Sequence, residues 1–338
     1  MSRLRVHVLA LGGTIATRPD AGGVMQMGAG ADDLVAAVPL LKELADIEAE
    51  TVSRVGSHSL SFDDIHAVAG KIAATAADAV IVTQGTDTLE ETGFLLDLLV
   101  KRDIPVIVTA AMRNPALTSA DGPGNLLAAV RVAGDPWIRR HTRSLGVMAV
   151  MLDEVHAVAD VIKAHPTRID AFASPQTGPI AALVEDRVVP LGLPVRDAIE
   201  VARQALDKVS GEARPVALLW MGLDEPGGLI EAILAAPDRL GYRGVVVAAM
   251  GGGHVPERLA PLAGRLAAAL PTVVAARAGG GPLLRHTYGG ASSEIALLEA
   301  GLIWGGRLHP LKARVLLETC LRAGLDRAAI ARVFAAWG

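Results

Sequence analysis

One cysteine, Cys320, is all the chain carries in 338 residues, which excludes an internal disulfide. It lies among Leu316, Leu317 and Leu321 at helical spacing and reads as a small core residue. Aromatic residues make up only 3% and the net charge is -4 without a basic tract, so the stacking platforms and charge footprint of nucleic-acid binders are missing. Long apolar runs are missing too. The best of them, Val216 to Leu223 and Val245 to Met250, fall well short of the roughly 18 residues that span a bilayer. The N-terminal run Leu4 to Leu11 contains His7 and ends at Gly12-Gly13, which suits a buried strand better than a secretion leader. These absences set the expectation of a soluble, cytoplasmic protein with a small-molecule partner, no nucleic acid and no membrane. Lysine is scarce as well, 6 against 26 arginines, and of the two only lysine readily gives up its proton.

What is present is a large apolar fraction, 51%, over a length that suggests two domains. Leu4 to Leu11, Ile47 to Val55, Ala79 to Thr83, Pro105 to Thr109 and Leu145 to Met151 read as buried strands. Asp32 to Leu44, Asp63 to Ala76, Leu89 to Lys101 and Gly124 to Ala133, between them, have helical spacing, and Ser61 with Asp64 reads as a capped start. The alternation predicts an α/β fold: a larger N-terminal parallel-sheet domain with helices on both faces. Ile180 to Val189 reads as a hairpin closing it. Strands at Val216 to Trp220, Val245 to Ala249 and Thr272 to Ala276, interleaved with helices, predict a smaller C-terminal α/β domain. The expected boundaries are 1–190 for the catalytic domain, 191–214 for a proline-punctuated linker and 215–338 for the second domain.

In a parallel sheet, ligands bind beyond the carboxyl ends of the strands. Three turns there carry hydroxyls beside glycine: Gly12-Gly13-Thr14, Gly56-Ser57-His58 and Gln84-Gly85-Thr86-Asp87-Thr88. Glycine permits tight turns and frees amide N–H groups to bind a carboxylate or a developing oxyanion. A lone threonine after a strand is ordinarily a helix cap, as Thr88 is expected to be, but three such turns together favour a shared site. A threonine hydroxyl needs a proton acceptor to become a nucleophile. Lys163, after the apolar segment Val158 to Ile162, is the candidate, taking a proton from Thr86 while Asp87 orients the group. No dinucleotide or P-loop fingerprint, nucleophile elbow or zinc motif occurs, so no metal or other cofactor is expected.

These residues carry a resemblance. Leu11-Gly-Gly-Thr-Ile-Ala16, Gly56-Ser57, Gln84-Gly-Thr-Asp-Thr-Leu-Glu-Glu-Thr92, Ala111-Met-Arg113 with Ser119-Ala-Asp-Gly-Pro123, and Lys312 to Leu317 are similar to segments of the bacterial-type L-asparaginases, threonine amidohydrolases of the asparaginase/glutaminase family. The resemblance spans nearly the whole chain. It implies cofactor-free hydrolysis of a side-chain amide to a carboxylate and ammonia through an acyl-threonine on Thr14, with Thr86, Asp87 and Lys163 as a second threonine-acid-lysine set. It also implies that Ser57 and Asp87 hold the substrate's α-carboxylate and α-amino groups, that Gly13 and Gly85 border the pocket, and that Glu294 reaches it from a neighbouring subunit, hence a homodimer or homotetramer.

The chain departs from the family pattern at several positions. Members often carry a tyrosine on the loop after the nucleophile; here Val24 stands near that place, and the two tyrosines, Tyr242 and Tyr288, lie elsewhere. His58 replaces a glutamine or acid as a pH-dependent partner for a substrate ammonium, His254 stands where asparagine is common, and Gln84 replaces a histidine. Glutamine, D-asparagine or another small amide therefore stays open as substrate, as does a non-catalytic amino-acid sensor on the same scaffold. An amidase subunit acting on aminoacyl-tRNA is disfavoured, because Gly12 is reached almost at once and no basic surface is evident.

Overall fold

The computed structural model describes residues 3–20, 22, 24–209 and 211–338. They fall into two compact units, one ending at Val195 and the other beginning at Arg196.

The first unit is built on an eight-stranded sheet, in the order Arg187–Pro190, Ala181–Val184, Glu154–Ala157, Val147–Met151, Val106–Thr109, Ala79–Thr83, Arg5–Gly12 and Asp46–Val55. The five strands expected from the sequence form the parallel part. Three of them, Ala79–Thr83, Val106–Thr109 and Val147–Met151, are buried along their whole length, as continuous Val/Ile runs require when helices cover both faces. The helix Gly122–Gly134 packs on one face, next to Ile81, Ile107 and Met148, and the helix Leu89–Leu99 contacts Val106–Thr109 and Val147–Met151.

The sheet is mixed rather than parallel throughout, because the three strands after Met151 each pair antiparallel with the strand before them in the sheet. The reason is the length of the connections. Leu152-Asp153 joins Val147–Met151 to Glu154–Ala157 with both residues at positive φ, 51° and 62°, the twist of a tight hairpin that only antiparallel neighbours accept. Neither residue is the usual Asn-Gly signal, so composition concealed this turn. The expected helix Asp32 to Leu44 is two, Ala31–Ala36 and Leu41–Leu44, broken around Pro39.

The second unit has a four-stranded parallel sheet, Val216–Trp220, Gly244–Ala249, Thr272–Ala276 and Ile303–Trp304. The helix Pro310–Arg322 lies against its first three strands, burying Ala313, Leu316, Leu317 and Cys320 completely. Each such leucine is worth about 1.5–3 kcal/mol of transfer free energy. Burial pushes the Cys320 thiol up to about 12, which keeps it a protonated, inert packing group. Residues 191–214 hold the helix Asp197–Ala205, whose buried Ala198, Ile199 and Ala202 accompany its packing on the helix Arg327–Ala335. Among the described residues no helix is long and apolar enough to cross a membrane.

Candidate functional site

The strand Arg5–Gly12, next to the sheet edge, has Asp46–Val55 on one side and Ala79–Thr83 on the other, both parallel to it. Its chain continues to the first neighbour and later returns to the second, so strand order reverses at this point and a crevice opens beyond the carboxyl ends. The three hydroxyl-bearing turns leave the sheet at that place. Each becomes a single turn of 3-10 helix: Thr14–Ala16, Ser57–Ser59 and Thr86–Thr88.

Close backbone contact joins the turns. A Cβ on Gly13 would stand 2.0 Å from the Gly85 nitrogen, and one on Gly85 would stand 2.6 Å from Ser57 Oγ. Gly13 also has φ +83°, a conformation that other residues rarely adopt. Ser57, fully buried, accepts a hydrogen bond at its Oγ from the Asp87 backbone N–H at 3.1 Å, and its carbonyl accepts from Thr88 Oγ1 at 3.0 Å. Thr88 therefore ties two turns together, whereas the sequence suggested a helix cap; no capping hydrogen bond from its side chain is formed.

Lys163 joins this cluster from far along the chain. Its ammonium donates to Thr86 Oγ1 at 2.9 Å and to Asp87 Oδ1 at 2.7 Å. Thr86 is buried, whereas Asp87 is exposed. The hydrogen bond from Lys163 holds the Asp87 carboxyl below the usual carboxylate range; partial burial opposes this, and His58 adds to the lowering, with Nδ1 3.8 Å from Asp87 Oδ2. The His58 ring, itself exposed, lies over Gly56, where a Cβ would come within 2.3 Å of it. Thr14, half-buried, has its carbonyl capped by Thr17 Oγ1 at 2.8 Å, and its hydroxyl makes no hydrogen bond with a described residue.

Several positioning residues lie within the stretches singled out from the sequence but had no role assigned to them there. Lys163 stands on a short hairpin, Ile162–Lys163 paired with Phe172–Ala173, and its backbone N–H donates to the buried Glu90 Oε2 at 2.7 Å. Glu90 looked like an ordinary first-turn acid of the helix that begins at Leu89. Buried Gln84 donates from Nε2 to the Gly85 carbonyl at 3.1 Å. Asp121 accepts from the backbone N–H groups of Met112 and Arg113, both at 2.9 Å, and so fixes the turn after Val106–Thr109.

Thr14, Ser57, His58, Thr86, Asp87 and Lys163, with Gly13 and Gly85, thus belong to the first unit, and Glu294 to the second. Glu294 is fully buried there; its Oε1 accepts from the backbone N–H groups of Thr287 and Tyr288, both at 2.6 Å. Burial raises its pKa, but those backbone donors, its own backbone N–H and the nearby His254 together outweigh it and hold the carboxyl below its ordinary value. His254 Nε2 lies 3.6 Å from Glu294 Oε2, and the His254 ring meets Tyr288 edge-on at 5.2 Å. Val24 is exposed, its backbone hydrogen-bonded to Asp20.

Comparison with known proteins agrees with this architecture. The family model "Asparaginase, N-terminal" matches residues 5–192, and "Glutaminase/Asparaginase C-terminal domain" matches residues 216–334. A probable L-asparaginase of Deinococcus radiodurans is 37% identical over 76% of this chain and 75% of its own. A probable periplasmic L-asparaginase of Haemophilus influenzae is 32% identical over 97% of this chain and 92% of its own. The crystal structure of a probable cytoplasmic L-asparaginase from Campylobacter jejuni superposes with a TM-score of 0.83 at 28% identity, covering 98% of this chain and 99% of that one.

Proposed function

The chain belongs to the asparaginase/glutaminase family of amidohydrolases, and from that premise we propose that it hydrolyses the side-chain amide of L-asparagine to L-aspartate and ammonia through an acyl-threonine on Thr14. The observation that carries this reading is the lysine bridge: Lys163 Nζ within 2.9 Å of Thr86 and 2.7 Å of Asp87, on a turn whose Gly85 abuts Gly13.

In the reaction Thr14 Oγ attacks the amide carbon, its proton passes to the departing nitrogen, and the C–N bond breaks to release ammonia. Water then attacks the ester carbon, aspartate leaves, and a proton from that water restores the Thr14 hydroxyl. Thr86, Lys163 and Asp87 form the proton-handling set, at distances suited to exchange along the line from hydroxyl to ammonium to carboxylate. Backbone N–H groups of the glycine turns at Gly13 and Gly85 stabilise the oxyanion. Ser57 takes the substrate's α-carboxylate. Asp87, with one oxygen on Lys163 and the other toward His58, takes the α-ammonium. Glu294 of a neighbouring subunit closes the pocket in a homodimer or homotetramer. In this reading residues 1–190 carry the chemistry, residues 191–214 connect, residues 215–338 support assembly, and the protein works in the cytoplasm.

Ammonia release by the purified protein from L-Asn, D-Asn, L-Gln and aliphatic amides tests the assignment. L-Asn is expected to be turned over, and Thr14→Ala to abolish turnover with substrate binding kept. Normal turnover by Thr14→Ala would remove the nucleophile assignment; tight binding of asparagine without ammonia from the wild type would make the protein a sensor.

A further inference from the structure

Behind the turn that carries Thr14 lies a second cavity, about 150 Å³ in volume. Ile15, Leu34, Ala37 and Leu126 form much of its apolar wall. Ile15, the residue after Thr14, is buried and wedged over Gly122, where a Cβ would come within 2.9 Å of it. An apolar cavity of this size accommodates a molecule about as large as benzene.

Three charges stand at the rim: Arg18, Asp33 and Arg113. Asp33 is already satisfied, accepting from the Gly30 backbone N–H at 2.8 Å and pairing with Arg18 at 2.6 Å. Arg113 differs. Its backbone is fixed by Asp121, but its guanidinium makes no hydrogen bond or ion pair with any described residue. The rim therefore offers one uncommitted cation beside an apolar hole. Arginine's planar fork matches a carboxylate in a bidentate pair, and low surrounding polarity strengthens that pair.

We propose that this cavity binds a small carboxylic acid with an apolar body, aromatic or branched aliphatic, its carboxylate on Arg113 and its body against Leu34 and Leu126. Such a ligand touches Ile15, so its occupancy is coupled to the position of the Thr14 turn. Whatever factor it applies to substrate affinity, substrate applies to its affinity in return.

Calorimetric titration of the full-length protein with benzoate and with 3-methylbutanoate tests this without reference to turnover. One saturable site per chain is expected for both acids, with benzyl alcohol bound at least tenfold more weakly. Arg113→Gln, which removes the fork, and Ala37→Leu, which fills the hole, should each weaken acid binding tenfold or more, whereas Ser57→Ala should leave it intact. Should Ala37→Leu fold poorly, Arg113→Gln at the rim still decides. Absence of saturable heat up to about 10 mM, well above a millimolar dissociation constant, would overturn the proposal. So would acid binding lost in Ser57→Ala but kept in Arg113→Gln, which would put the acid in the amide pocket. Because the ammonia assay is separate, failure of the amidohydrolase reading would leave this result untouched.

Discussion

Gly85 occupies the space a side chain on Gly13 would need: an ideal Cβ on Gly13 would lie 2.0 Å from the Gly85 nitrogen and 2.2 Å from its Cα. The turns carrying Thr14 and Thr86 are brought together by this contact between two residues without side chains. Gly13→Ala is therefore expected to push the turns apart and add left-handed strain, costing about 2 kcal/mol or more of stability and at least a hundredfold in turnover. Gly70, exposed in the helix Phe62–Ala74 with nothing within 4 Å, supplies the contrast. Gly70→Ala should stabilise by about 0.5–1 kcal/mol and leave activity alone. Melting curves and ammonia release on both variants check the pair; an active Gly13→Ala protein would show that the close approach is dispensable.

Much of the architecture was legible because parallel strands buried on both faces leave long Val/Ile runs, as at Ala79–Thr83 and Gly244–Ala249. The hydroxyl turns were legible because they follow those runs directly. What stayed hidden depends on features that side-chain type does not announce. The turn Leu152-Asp153 needs positive φ but lacks asparagine or glycine. The Lys163 hairpin is only two residues deep on each side, too short for alternation to register. Glu90's role depends on a partner 73 positions away, and no local pattern reports that separation.

Lys163 bonds to Thr86 and Asp87 at once, so one substitution disconnects both. Lys163→Met keeps much of the apolar stem and removes the ammonium. Turnover should fall by about 10²- to 10⁴-fold, the range of a lost proton-transfer group. Lys163→Arg should fail to rescue it, because guanidinium keeps its proton under all working conditions. Single-turnover and steady-state rates on the two variants check this; an Arg variant within a few-fold of wild type would mean that Lys163 serves only as a positive charge.

Asp87 is held below the usual carboxylate range by the Lys163 hydrogen bond, with a further contribution from His58. A lowered pKa means the carboxylate persists as acid is added and disappears only once pH passes below that value. If Asp87 holds the substrate's α-ammonium, binding of L-asparagine should survive to a pH lower than an unperturbed aspartate, at about 3.9, would allow. His58→Gln removes one lowering influence and should move the acid limb upward while sparing turnover at neutral pH. Titration calorimetry with L-aspartate across the acid range measures the limb. Coincident limbs for the two proteins would show that the 3.8 Å contact of His58 with Asp87 does no electrostatic work.

His309 places a pH-dependent stability term in the second unit. Burial first, then the neighbouring Lys312, pushes its imidazole down to about 4, and its Nδ1 accepts from the Leu311 backbone N–H at 3.4 Å as the N-cap of Pro310–Arg322. In the unfolded chain the ring titrates at about 6.5, so between roughly pH 6.5 and 4 the unfolded state binds the proton and the folded state does not. The folded state therefore loses stability as pH falls through that window, by an amount bounded at about 3 kcal/mol. His309→Asn keeps a side chain that caps helices well and has no proton to gain. Denaturant unfolding at pH 7, 6, 5 and 4 should show the wild type losing more stability than the variant, the gap opening below 6.5 and widening down to about 4, where it levels off. Parallel curves for the two proteins would mean that the ring gains its proton in the folded state as readily as in the unfolded chain.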